Sequence, residues 1–205
     1  MPPIDLIEGF ADWVIAELKG VGRYHLLGHS MGGMIAQEIA RKDAAKIDKL
    51  ILYCTGPLGN IPGRFETMAQ SKARARADGA EATARRIAAN WFFQGAHSPA
   101  YPVCADLAAK AQLPAIIGGL DAMQAWSGRD SLPEIDQETL ILWGDADRAY
   151  SWEQTQILWS EIPRTQLAVL PNCGHALHME KPDLFAQVVR DFLMPRRSRQ
   201  PRDPA

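Results

Sequence analysis

Ser30 lies in the stretch Leu26-Leu27-Gly28-His29-Ser30-Met31-Gly32-Gly33-Met34, where an apolar run ends and a helical pattern begins. Gly-x-Ser-x-Gly in that context displays a serine as a nucleophile. The turn is sharp, so the flanking glycines remove side chains that would collide across it, and the serine itself must take a strained backbone conformation. The helix behind the turn adds an electrostatic effect. Its N-terminus offers unpaired N–H groups and a partial positive charge, so the backbone amide of Met31 can stabilise an oxyanion on an attacked carbonyl. A serine hydroxyl is essentially never ionised at neutral pH, and such a site therefore demands a histidine base and a carboxylate to orient it. Both types occur downstream, in Trp143-Gly144-Asp145-Ala146-Asp147-Arg148 and in Pro171-Asn172-Cys173-Gly174-His175.

Positioning these residues requires strands and helices in a particular order. Four runs have the leucine-rich or β-branched character of buried parallel strands: 23 to 30, 49 to 55, 139 to 145 and 165 to 171. The serine, the acidic loop and the histidine loop each lie at the C-terminal end of one of them. Helical patterns flank the strands. Ile7, Phe10, Val14 and Leu18 form one stripe, and Leu184, Phe185, Val188, Val189 and Phe192 form another behind Pro182. Strands alternating with helices predict an α/β layer sandwich with a mainly parallel sheet. Residues 57 to 136 contain no strand pattern and are too long for a plain loop. They are expected to form a helical insertion over one edge of the sheet, with helix breaks at Asp78-Gly79 and near Pro114 and Gly118-Gly119. Its Phe65, Met68, Trp91, Phe92, Met123 and Trp126 are expected mainly in the core.

Composition places the chain among ordinary globular proteins, at 205 residues, 47% hydrophobic and 22% charged. A net charge of −2 gives no electrostatic case for nucleic acid. The basic cluster near the C-terminus, rich in Arg and Pro, reads as a solvated, disordered tail over 196–205. Cys54, Cys104 and Cys173 have no disulfide or zinc spacing and are expected as reduced thiols. No apolar run approaches the roughly 20 residues of a membrane span, and the N-terminus has no leader pattern, so a cytoplasmic location without membrane association is the expectation. His29 is expected to pack beneath the turn, His178 at the surface or behind the site, and Cys173 as a small buried residue. His25 and His97 have no visible partner.

Residues 4 to 193 resemble the α/β-hydrolase family, through "GHSMGGMIAQEIA", "GDAD" and "GHALHMEKPDLF" and through the chain order Ser, Asp, His. The resemblance implies a three-layer α/β sandwich comprising the C-terminal half of the parallel sheet, with core segments 1–56 and 137–195 and a helical cap at 57–136. It implies Ser30 as nucleophile, Met31 as one oxyanion-hole amide, Asp147 rather than Asp145 as the acid, and His175 as general base. The group it most resembles contains 3-oxoadipate enol-lactone hydrolases, small carboxylesterases, carbon–carbon bond hydrolases and cofactor-free haloperoxidases. The implied activity is hydrolysis of a small ester or lactone through an acyl-enzyme, without metal or organic cofactor. Perhydrolysis, carbon–carbon cleavage and a non-catalytic or weakly active truncated module that dimerises or binds a ligand are the alternatives. A full family sheet has further strands before the nucleophile strand, and a loop among them supplies the second oxyanion donor. Without that neighbour the strand at residues 23–30 is an apolar edge, for which pairing into a homodimer is expected; an open reading frame extending upstream is the alternative.

Overall fold

The computed structural model describes residues 4–61 and 66–194, so Phe65 and the tail at 196–205 lie outside the described residues. The apolar runs form β1 (Tyr24–His29), β2 (Ile47–Tyr53), β3 (Glu138–Gly144) and β4 (Thr165–Leu170). All pair in parallel, in the order β1-β2-β3-β4. Alternate residues face opposite sides of the sheet and find different cores. Leu50, Leu52 and Ile141 pack with α1 (Ile7–Glu17), α2 (Met31–Lys42) and α7 (Trp152–Glu161), whereas Ile51, Leu140 and Leu142 pack with α9 (Pro182–Leu193). The predicted C-terminal stripe holds at Phe185, Val188, Val189 and Phe192, but Leu184 is 40% exposed.

Between β2 and β3 lie α3 (Met68–Asp78), α4 (Ala80–Asn90), α5 (Tyr101–Ala108) and α6 (Leu113–Ala125). The break between α3 and α4 falls at Gly79, whose φ is +82°. Gly118 and Gly119 break nothing. They lie inside α6, where a side chain at 119 would only reach the Met31 sulfur at 3.7 Å, and Pro114 is tolerated because it sits in the helix's first turn. The sequence places this helical layer over one edge of the sheet; its described residues pack instead on the elements at the C-terminal strand ends. Ala88, Phe92 and Cys104 pack on Ala176 of the histidine loop, and Ala122 and Trp126 pack with Met34 and Tyr150. Its neck is closed by Gly59 N–H on Trp126 C=O (3.1 Å), Gly128 N–H on Pro57 C=O (2.9 Å) and Trp126 Nε1–H on buried Glu38 (3.0 Å). Residues 129–135 leave that layer, because Leu132 and Ile135 are fully buried in the core beneath the sheet. Among the described residues no single helix is long and apolar enough to cross a membrane.

Candidate active site

Parallel strands bring their C-terminal ends to one side, and Ser30, Thr55, Asp147 and His175 all lie just beyond those ends. Ser30 has φ +54° and ψ −124°, a conformation that a non-glycine residue keeps only when its surroundings enforce it. Three hydrogen bonds do so. Ser30 N–H donates to Tyr53 C=O (3.2 Å), while Ser30 C=O accepts from Gly33 N–H (2.9 Å) and from the buried Thr55 hydroxyl (2.7 Å). The steric demand for glycine falls on Gly28 and Gly33. A Cβ at 28 would meet Gly32 O at 2.5 Å and one at 33 would meet Thr55 at 2.5 Å, whereas Gly32 has nothing within 4 Å. Met31 opens α2, so its N–H belongs to the first turn and lacks an intrahelical acceptor.

Asp147 and His175 are in direct contact. His175 Nδ1 lies 3.0 Å from Asp147 Oδ2, and both side chains are almost completely buried. The other carboxylate oxygen, Oδ1, accepts from the N–H groups of Ala149 (2.7 Å) and Tyr150 (3.2 Å). Burial by itself works to raise the Asp147 carboxyl. The hydrogen bond and charge of His175, with the two backbone N–H groups, outweigh it and leave the group below its ordinary value. A carboxylate that cannot donate requires the proton on His175 Nδ1, which leaves Nε2 as the basic nitrogen. Nε2 is buried and has no hydrogen-bond partner among the described residues. Asp145 is directed elsewhere, its carboxylate accepting from Cys173 N–H at 3.3 Å.

Aromatic rings enclose the histidine. Tyr150 stacks on His175 (5.7 Å, 15°) and Trp91 lies 5.9 Å away. His29 packs 4.5 Å from the His175 ring, stacks on Tyr53 at 4.3 Å, and places Nε2 3.0 Å from His175 C=O. A carbonyl only accepts, so His29 Nε2 carries the proton there. Burial, then the nearby His175, lower the pKa of His29 to about 3. Its attachment to the His175 backbone had no signal in the sequence. His178 meets Tyr53 through Nδ1 and the phenol oxygen (2.9 Å). His25 and His97 are exposed.

All three cysteines are free and buried. Burial and the neighbouring Glu180 push the Cys173 thiol up to about 12. Donor atoms of Cys54, Asp147 and His175 fall within 4.8 Å of one another, the one such group among the described residues that could hold a metal. Burial, followed by the Asp147 charge, raises the Cys54 thiol well above its ordinary value.

The chain is similar to known proteins both in sequence and in structure. A 2-hydroxy-6-oxononadienedioate/2-hydroxy-6-oxononatrienedioate hydrolase of Comamonas testosteroni is 26% identical over 195 residues, covering 86% of this chain and 65% of the relative. A pimeloyl-[acyl-carrier protein] methyl ester esterase of Yersinia enterocolitica is 26% identical over 174 residues, covering 81% of this chain and 67% of that protein. The chain thus spans about two thirds of the length of these curated relatives. Among solved structures, the enol-lactonase of Burkholderia xenovorans superposes with a TM-score of 0.82 at 24% identity, over 92% of this chain and 73% of that one. A thermophilic esterase of Thermogutta terrifontis superposes with a TM-score of 0.81 at 26% identity, over 94% and 74%. The family model described as the alpha/beta hydrolase family matches residues 2–188, and with the parallel sheet and strand-end loops already in place, the chain belongs to that family.

Proposed function

We propose that this chain is a serine hydrolase of small esters or lactones. His175 Nε2 takes the proton of Ser30 Oγ as the oxygen bonds the acyl carbon, and Met31 N–H receives the developing oxyanion. Collapse expels the alkoxide, which leaves with the proton from His175, and the acyl group remains on Ser30. Water, deprotonated by the same nitrogen, then attacks the acyl-enzyme, and the acid leaves as Ser30 regains its proton. Asp147 stays ionised and holds the imidazole in the required tautomer. One observation carries this reading: a buried His175 whose Nδ1 is fixed by Asp147 and whose Nε2 is unpartnered, packed beside the turn that displays Ser30. The similarity to a methyl ester esterase and to a thermophilic esterase, each 26% identical, supports the ester class.

The test is labelling and turnover of Ser30→Ala. Wild type is expected to react with a fluorophosphonate and to hydrolyse p-nitrophenyl butyrate, and the variant to lose both, with turnover falling by at least ~10³-fold. Unchanged turnover in the variant excludes Ser30 as nucleophile, and a folded wild type that never labels favours a non-catalytic module. Rates on lactones and vinylogous diketones, compared in the same assay, separate ester hydrolysis from carbon–carbon cleavage.

We also propose that a second copy of the chain covers the outer side of β1. Among the described residues the strand pairs with β2 alone, and Leu27 is 44% exposed.

A further inference from the structure

Two carboxylate oxygens on one side chain tie the helical cap to the histidine loop. Glu180 closes α8 (Leu177–Glu180), a short helix that begins two residues after His175. Its Oε1 accepts from Phe93 N–H at 2.7 Å and its Oε2 accepts from Gly174 N–H at 2.6 Å. From the opposite side, Trp91 C=O accepts from both His175 N–H (2.7 Å) and Ala176 N–H (2.9 Å). The two backbones lie so close that a Cβ on Gly174 would stand 2.7 Å from Trp91 O and 2.9 Å from Phe93 N. The acid loop joins the same strip of cap, since the Arg148 guanidinium donates to Phe93 C=O at 3.3 Å.

We propose that Glu180 is a positioning residue for the general base, fixing the 174–175 peptide against cap residues 91–93 so that the His175 ring is aimed between Asp147 and Ser30. This rests on His175 acting as the base in the function proposed above. The physical reason is the demand for two acceptors. Phe93 and Gly174 each present an N–H, and only a carboxylate offers an acceptor oxygen to both at once. Glutamine keeps the size and shape but turns an NH₂ group against one of the two N–H donors. The loop must then shift, and a displacement near 1 Å at a catalytic group is worth about 10²-fold in rate.

The test compares wild type, Glu180→Gln and Glu180→Ala on p-nitrophenyl butyrate, with competent Ser30 counted by fluorophosphonate titration. The Nδ1 proton of His175 is followed in the far-downfield proton NMR spectrum. Expected is a fall in kcat per titrated serine of at least about tenfold in both variants, with KM moving less than about threefold. The downfield resonance shifts or broadens in parallel. A kcat per titrated serine within about twofold of wild type overturns the proposal, as does a loss carried by KM alone, which would assign Glu180 to the substrate pocket instead. Loss of packing lowers the titratable fraction and not the turnover of what remains, and the isosteric glutamine variant serves if the alanine variant fails to fold. The NMR signal needs no turnover. A wild type that shows it and hydrolyses nothing sinks the hydrolase reading alone, whereas an unchanged resonance in Glu180→Gln sinks the role of Glu180 alone.

Discussion

Asp147 and His175 follow β3 and β4, under the cap, with side chains 0% and 1% exposed, whereas Ser30 follows β1, the strand at the margin of the sheet, and is only partly buried. The Asp147–His175 pair is held by several elements: two N–H groups on Asp147, the cap carbonyl of Trp91 on the His175 backbone, and the ring of His29 on the His175 carbonyl. The serine turn is held from one side, by Tyr53 and Thr55 of the neighbouring strand and its exit. The contrast teaches that the His175 ring, the base of the proposed reaction, is oriented by described residues on several elements. Among the described residues, β1 has a sheet neighbour on the β2 side alone, so the outer flank of the Ser30 turn has no strand beside it.

Breaking the enclosed half has the largest expected effect. In Asp147→Asn the amide oxygen keeps the N–H groups of Ala149 and Tyr150, so the NH₂ faces His175 Nδ1. That nitrogen must then accept, the proton moves to Nε2, and Nε2 can no longer take a proton from Ser30. kcat is expected to fall by about 10³- to 10⁴-fold with little change in KM, read by steady-state ester hydrolysis. A loss below about tenfold would mean that enclosure, and not the carboxylate, sets the tautomer.

The same contrast explains what the sequence disclosed. Each strand is found within two residues of its expected start and end, because buried parallel strands write an unbroken apolar run. The Asp147–His175 contact was legible only through the family resemblance, since Asp145 and Asp147 are equivalent by residue type and only the fold separates them. Gly32 was expected to relieve crowding at the turn, yet the crowding is at Gly33, because Thr55 arrives from a strand exit remote in sequence. Glu180 stands inside the "GHALHMEKPDLF" stretch that carries the resemblance, yet its partners, like those of the Trp91 carbonyl, left no readable signal. The two groups accept backbone N–H bonds across separate elements, and backbone partners carry no residue-type code.

The open half is tested by assembly. If a second copy covers β1, the protein is expected to sediment as a dimer at micromolar concentration. Leu27→Lys, a charge on the exposed face of an edge strand, should return it to the monomer. A monodisperse wild-type monomer would remove the dimer and leave the edge for another segment.

The smallest effect sharpens the link between the halves, because His29 belongs to the strand that ends at Ser30 yet holds the loop of His175. Its folded pKa of about 3 lies below the ordinary 6.5, so between those values the unfolded chain binds the extra proton and the folded one does not. Stability is therefore retained above pH 6.5 and declines as pH falls toward 3, with a slope of up to about 1.4 kcal/mol per pH unit from this one group. His29→Gln keeps an N–H donor for the His175 carbonyl but carries no titrating proton. Urea unfolding between pH 7 and about 4.5 should give a shallower loss of stability in the variant than in wild type. Parallel curves would mean that His29 is protonated as readily in the fold as out of it, and the stack of His29 between Tyr53 and His175 would then tolerate a charge beside the base.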